Sequence, residues 1–190
     1  MASHLSSSPS TTPPPPLSRR RPRPQGIGID PSALAGKVLT RISRSPEHPC
    51  MQLHFVDGTV YQILVAGYDP VHRGLPKALE MDPILDSLLG AADGSVELQR
   101  TIDHCVLVTL SDKAFESRQR EQRWDQNHVG VAFKFREDQV WHCVWAMLTD
   151  HENGICVFRS YSDVYLDQLQ LRHSHRKRHS RTPSSPNKRH

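Results

Sequence analysis

Acidic residues are missing from both ends of this chain. Residues 1–29 contain none, and neither do residues 170–190. Also absent is any run of about 18 apolar residues, so no membrane-spanning helix is expected. Met1–Pro16 has no basic stretch and no apolar stretch, and is not read as a secretory signal. The four cysteines, Cys50, Cys105, Cys143 and Cys156, form no C-x-x-C pair. Three of them lie in apolar, strand-like runs, which fits small buried hydrophobes better than a disulfide framework. There is no Gly-x-Ser-x-Gly, no P-loop and no Gly-x-Gly-x-x-Gly. These absences remove the commonest hydrolase and nucleotide-binding signatures.

What remains is a sorting of charge. Four arginines (Arg19, Arg20, Arg21, Arg23) sit in 1–29, and seven Lys and Arg sit in 170–190. The segment between holds all 20 Asp and Glu with 13 Lys and Arg, a net −7 against +11 on the two ends. An acidic body with two basic arms meets different partners with each part. The expected organisation is a disordered Pro/Ser-rich basic arm over 1–29, a single acidic α+β domain over 30–172 and a disordered basic tail over 173–190. The arms are too poor in apolar residues to offset the entropy of ordering.

Periodicity predicts a mostly antiparallel sheet, or a partly open barrel, of about seven short strands. An inserted short helix and a C-terminal helix complete it. Lys37–Ser43 is a first strand. Met51–Val56 and Thr59–Ala66 flank Asp57-Gly58, a hairpin signal. A three-residue loop there gathers Met51, Leu53, Phe55, Tyr61, Ile63 and Val65 on one face, and that register is preferred. Asp82-Pro83 reads as N-cap and first position of a helix carrying Ile84, Leu85, Leu88 and Leu89, with Gly90 closing it. In Leu98–Leu110 the residues Ile102, His104, Val106, Val108 and Leu110 share a face. Ser111 is expected to cap a charged helix from Asp112 to about Gln122.

Val129–Arg136 and Val140–Thr149 alternate cleanly. A three-residue loop at Glu137–Gln139 would pair Phe135 with Trp141, Phe133 with Cys143 and Val131 with Trp145. Asn153-Gly154 turns the chain into Ile155–Tyr161. Ser162 is expected to cap a last helix, about Asp163 to Arg172, with Tyr165, Leu166 and Leu169 facing inward. The order of elements is analogous to a seven-stranded barrel closed by a C-terminal helix, as in pleckstrin-homology-like folds. That analogy rests on counting and carries no function.

Two loops are the expected binding surfaces. Gly67–Met81 is a long connection holding Tyr68, Asp69, His72, Arg73 and Lys77. Trp124–His128 offers Trp124, Asp125 and His128, and a Trp in a polar stretch often anchors an interface. The tail residues Arg172, Arg176, Lys177, Arg178 and Arg181 form a dense cluster suited to nuclear-import recognition or phosphate contact. Contact of the arms with nucleic acid is expected to be weak, non-specific and salt-dependent. Ser8, Thr12, Thr182 and Ser185 each precede proline, and phosphate there would offset the arms' charge.

No cofactor or metal ligand set is expected: His104-Cys105 and His142-Cys143 point their neighbours to opposite strand faces. The leading expectation is a non-enzymatic protein-interaction module, nuclear or nucleocytoplasmic and not secreted, that binds a protein or peptide. The alternative is an enzyme or small-ligand binder whose pocket gathers several of His72, Arg73, Asp103, His104, Lys134, His142 and Arg159.

Overall fold

The computed structural model describes residues 28–72, 74–90, 94–118 and 122–170. Over these residues the chain forms nine strands and one α-helix. A short 3-10 turn, Pro31–Leu34, leads into β1 (Val38–Arg44), β2 (Cys50–Phe55), β3 (Val60–Val65) and β4 (Lys77–Met81). After α1 (Pro83–Gly90) come β5 (Ser95–Glu116), β6 (Gln122–Phe135), β7 (Trp141–Glu152), β8 (Ile155–Ser162) and β9 (Val164–Gln168). All pairings are antiparallel, in the order β4-β7-β6-β5-β1-β2-β3-β9, with β8 alongside both β5 and β7.

The local signals fold as their chemistry dictates. Phe55 N–H donates to Thr59 O (3.0 Å), so three residues turn the β2–β3 hairpin. Gly58 supplies its left-handed position at φ 77°. Leu53 then stands opposite Tyr61 and Met51 opposite Ile63, which puts the expected apolar face into the core. At the same turn Lys37 pairs with Asp57, and Asp57 also accepts the Thr59 N–H (3.0 Å). The Lys37 hydrogen bond, then those from Thr59, lower the Asp57 pKa to about 2. Its folded value lies below its unfolded one, so this stabilisation is present above about pH 4 and fades as pH falls through 2. Asp57→Asn is therefore expected to lower the melting temperature at pH 7. The gap between variant and parent should close between pH 4 and 2 in a thermal-melt series. A gap that does not change over that range would contradict it.

Asp82 caps α1 through its Oδ1, which accepts Ile84 N–H and Leu85 N–H (both 3.1 Å). Only Leu85 and Leu89 of the expected stripe are buried; Ile84 and Leu88 face solvent. Gly90 is the last helical residue, and the closing role falls to Gly94, with φ 79° and its N–H on Leu89 O (2.9 Å). Asn153 and Gly154, at φ 51° and 80°, form the two-residue turn between β7 and β8.

The described strands number nine rather than about seven, and β5 alone runs 22 residues. Four further expectations fail. The charged helix after Ser111 is absent among the described residues: Ser111–Glu116 continues β5 and pairs with Gln122–Asn127 of β6. Among the described residues the C-terminal helix is also absent, because Val164–Gln168 is β9 and pairs with β3, Leu166 opposite Ile63. Third, the shared face of Ile102–Leu110 is broken by a bulge at Asp103. Ile102 pairs with Phe135 and His104 with Lys134. Burial therefore passes from Ile102 to Cys105, and Val106, Val108 and Leu110 turn to the other face.

Fourth, the β6–β7 register is one residue from the expected one: Phe133 stands opposite His142 and Val131 opposite Val144. A one-residue slip exchanges the faces. His142, Val144 and Ala146 enter the core, while Trp141, Cys143, Trp145 and Met147 lie on the reverse side. Gln139, at φ 59° and bonded back to Phe135 O (3.0 Å), accommodates the longer loop.

One continuous core runs through the sheet, from Leu39, Ile42, Met51 and Ile63 to Phe133, Val144 and Leu166. β5 spans both halves. Beyond Gly130, β6 parts from β7, and β8 enters the gap. β5, β6, β7 and β8 thus close a four-strand circuit. Backbone groups left unpaired by the parting are met by side chains. The Gln126 amide bonds both Tyr161 N–H (3.0 Å) and Tyr161 O (2.7 Å), and Asp163 Oδ1 accepts Val129 N–H (2.8 Å). Gly130 sits in a tight approach of the strands: a Cβ there would lie 3.1 Å from both Val144 O and Leu110 Cδ1.

Candidate functional site

Cleft beside β4. The expected long loop is half strand, since Lys77–Met81 is β4. Tyr68 and Lys77, from the two sides of this connection, line a cleft of about 500 Å³ with the Arg44–Cys50 turn. Pro46 and Pro49 fix that turn, and its Ser45 Oγ accepts His48 N–H (3.2 Å). His48 Nδ1 and Tyr68 Oη are hydrogen-bonded at 2.9 Å, and the rings are tilted at 5.8 Å. The Tyr68 ring is half-buried against the core, so one residue is both a packing plug and a cleft wall.

Lys77 Nζ donates to Ala66 O (3.2 Å) and Gly67 O (2.9 Å). No carboxylate pairs with it among the described residues, and partial burial lowers its pKa. Asp69 and His72 are not in the cleft. They form an exposed pair (Oδ2 to Nδ1, 3.0 Å), with Asp69 Oδ1 also holding Val71 N–H (2.8 Å). Arg73 lies outside the described residues, as do Arg172, Arg176, Lys177, Arg178 and Arg181.

Trp124, Asp125 and His128 are not in a loop but along β6. Trp124 and Asp125 line one cleft, and His128 lies apart from it. Trp124 is partly exposed in this cleft of about 740 Å³, where Ala114, Phe115, Ile155 and Cys156 stand among charged residues such as Lys113, Glu116 and Arg123. Asp125 turns outward to Lys113. His128 is buried inside the four-strand circuit, with Nε2 2.8 Å from Asp112 Oδ2 and its ring stacked on Tyr161 at 4.5 Å.

From Tyr161 a polar chain crosses to β4. Arg159 Nε donates to Tyr161 Oη (2.9 Å), and Arg159 Nη2 donates to both Glu80 oxygens (2.8 and 3.1 Å). Glu80 also accepts Trp145 Nε1–H (2.9 Å). Five strands meet in this chain. Sequence pattern missed Glu80 and Asp112 because their partners are 79 and 16 residues away. His48 had a nearer signal: a histidine between two prolines in a tight turn.

Of the residues suited to a reactive pocket, three come together and the other described ones stand apart. Asp103, His104 and Lys134 meet at the bulge, beside the exposed Trp141. His142 is buried against Phe133 and Phe135, 3.3 Å from the Asp82 that caps α1. Arg159 is held by Glu80, and His72 stands in solvent. Burial pushes the Cys105 thiol up to about 12. Burial, then the Asp82 charge, pushes Cys143 up to about 11, so both are poor nucleophiles. His128 pairs with a carboxylate, but its free Nδ1 is fully enclosed with no hydrogen-bond partner and lines none of these clefts. Among the described residues no three His, Cys, Asp or Glu side chains group to hold a metal ion, and no helix is long and apolar enough to cross a membrane.

No family model matches the chain, and no curated protein or solved structure shows a significant match.

Proposed function

We propose that this protein is a non-enzymatic interaction module whose partner is a protein or peptide held at the cleft beside β4. The observation that carries the reading is the convergence of Tyr68, His48 and Lys77 around an open cleft, with Lys77 lacking a carboxylate among the described residues. An amphipathic aromatic and an unneutralised cation at a cleft wall suit polar and apolar recognition together. Apart from Asp103, His104 and Lys134 at the bulge, the described groups suited to chemistry are dispersed or enclosed, which favours binding over catalysis. In this reading the basic arms supply nuclear import and long-range attraction to acidic partners, and the acidic body selects the partner.

Capture from nuclease-treated cell extract tests it, with the full chain and its Tyr68→Ala variant as baits. Parent and variant are expected to melt cooperatively. The variant should retain less than about a tenth of the captured partner, as for loss of a buried aromatic anchor. Equal capture by both, or capture that vanishes with nuclease, would contradict the reading.

A further inference from the structure

β4 is paired on one side only, with β7. Two hydrogen bonds fix which of its residues face β7. Thr149 N–H donates to Pro76 O and Asp82 N–H donates to Cys143 O, both at 3.1 Å. Bonding alternates along an antiparallel strand. Pro76, Ala78, Glu80 and Asp82 therefore direct their backbone at β7, while Lys77, Leu79 and Met81 direct theirs to the opposite side. No described strand pairs there. At the other end of the sheet order, by contrast, Leu166 O of β9 accepts Ile29 N–H (2.7 Å).

The cleft opens along the free side of β4. Lys77, Ala78 and Leu79 form one wall, and the Arg44–Cys50 turn with Tyr68 forms the other. Pro46 and Pro49 have no N–H to offer, so the turn is poorly suited to supply the missing strand itself. Near Met81 the edge is occupied by Arg44, whose Nη2 lies 3.5 Å from Met81 Sδ and 2.9 Å from Asp86 Oδ1. The usable stretch is thus Lys77 and Leu79. Arg44 is neutralised by Asp86, Glu47 of the facing turn lies 3.9 Å from His48 Nε2, and Lys77 is paired with no described carboxylate, so it is the cation left for an acidic side chain.

We propose that the occupant is a short extended peptide of the partner that adds to β4 as a further strand, bonding Lys77 and Leu79 through the backbone and placing an acidic side chain against Lys77. This rests on the interaction-module reading and specifies its partner. Strand addition gives affinity through main-chain bonds and takes specificity from neighbouring side-chain sites, here the Lys77 ammonium and the Tyr68 wall. β4 is only five residues long and follows Pro76, so its edge admits a short segment and resists extended edge-to-edge pairing.

The test is selection of displayed random linear peptides of about ten residues on the immobilised full chain, followed by calorimetry of the synthetic winners. The winners are expected to share an acidic residue. Lys77→Ala, checked for an unchanged melt, should weaken the best of them about fivefold or more. Methylating the peptide's backbone nitrogens one at a time should weaken binding about tenfold at alternate positions and little between them. Methylation effects without alternation, or winners indifferent to Lys77, overturn strand addition. If no peptide is selected while Tyr68-dependent capture of a protein partner persists, this inference fails and the module reading stands. If that capture fails too, both fall.

Discussion

Phe133→Ala is expected to lower the unfolding free energy by about 4 kcal/mol. Phe133 is fully buried in β6 and stands opposite His142. Its ring meets Phe135 edge-on at 5.6 Å and lies 5.7 Å from the His142 ring. Truncation removes the transfer free energy of the ring and leaves a cavity that two paired strands cannot close by moving together. Equilibrium unfolding in urea measures the loss, and an unchanged denaturant slope would confirm that the difference is one of stability. A loss under about 1.5 kcal/mol would mean that Phe133 is not in the core. The alternative register makes a different demand, because it faces Phe133 with Cys143 and brings Trp141 inward. Trp141→Ala is the matched control. With its side chain about half-exposed, it should cost far less than Phe133→Ala.

Glu80→Ala is expected to cost about 3 kcal/mol, and Glu80→Gln about 1 kcal/mol. The Glu80 carboxylate accepts two bonds from Arg159 and one from Trp145. Removing it leaves a partly buried guanidinium that keeps its hydrogen bond to Tyr161 Oη (2.9 Å) and lies 5.4 Å from that ring's centroid. Gln keeps an acceptor and loses the charge. The effect is structural rather than local, because the chain Glu80–Arg159–Tyr161–His128–Asp112 joins β4 and β8 to the β5–β6 hairpin. Urea unfolding of both variants checks the values, and equal small losses would place Glu80 outside the network.

These two positions also mark where sequence reading stops. The β2–β3 hairpin, the Asp82-Pro83 helix start and the Asn153-Gly154 turn were legible because each is specified within a few contiguous residues. A cap, a left-handed glycine and an alternating face need no distant partner. The β6–β7 register was not legible. Both faces of β7 are apolar, so alternation alone cannot say which enters the core. The Asp103 bulge is specified by pairing with β6 and leaves no mark in the local pattern of β5.

The segment from Ser111 to His128 misled for a related reason. Its strands are mostly polar, and their few apolar residues, Ala114, Phe115 and Trp124, do not form an alternating row. With no apolar alternation visible, the serine and the charged run resembled a capped helix. The same polarity made Trp124–His128 resemble a loop. Of the eight body residues expected to bind, Tyr68 and Lys77 line one cleft and Trp124 and Asp125 another. Tyr68 and Lys77 lie at the two ends of a connection whose length drew attention to it. The wall opposite them, from Arg44 to Cys50, is set by tertiary folding.

The account turns on the cleft beside β4, and hydrogen exchange of the full chain, free and saturated with its captured partner, tests that most directly. Lys77, Leu79 and the Arg44–Cys50 turn are predicted to exchange more slowly in the complex, with β5–β6 residues 112–128 unchanged. Protection confined to the basic arms or to the β5–β6 hairpin, with Lys77 and Leu79 unaffected, would contradict the account.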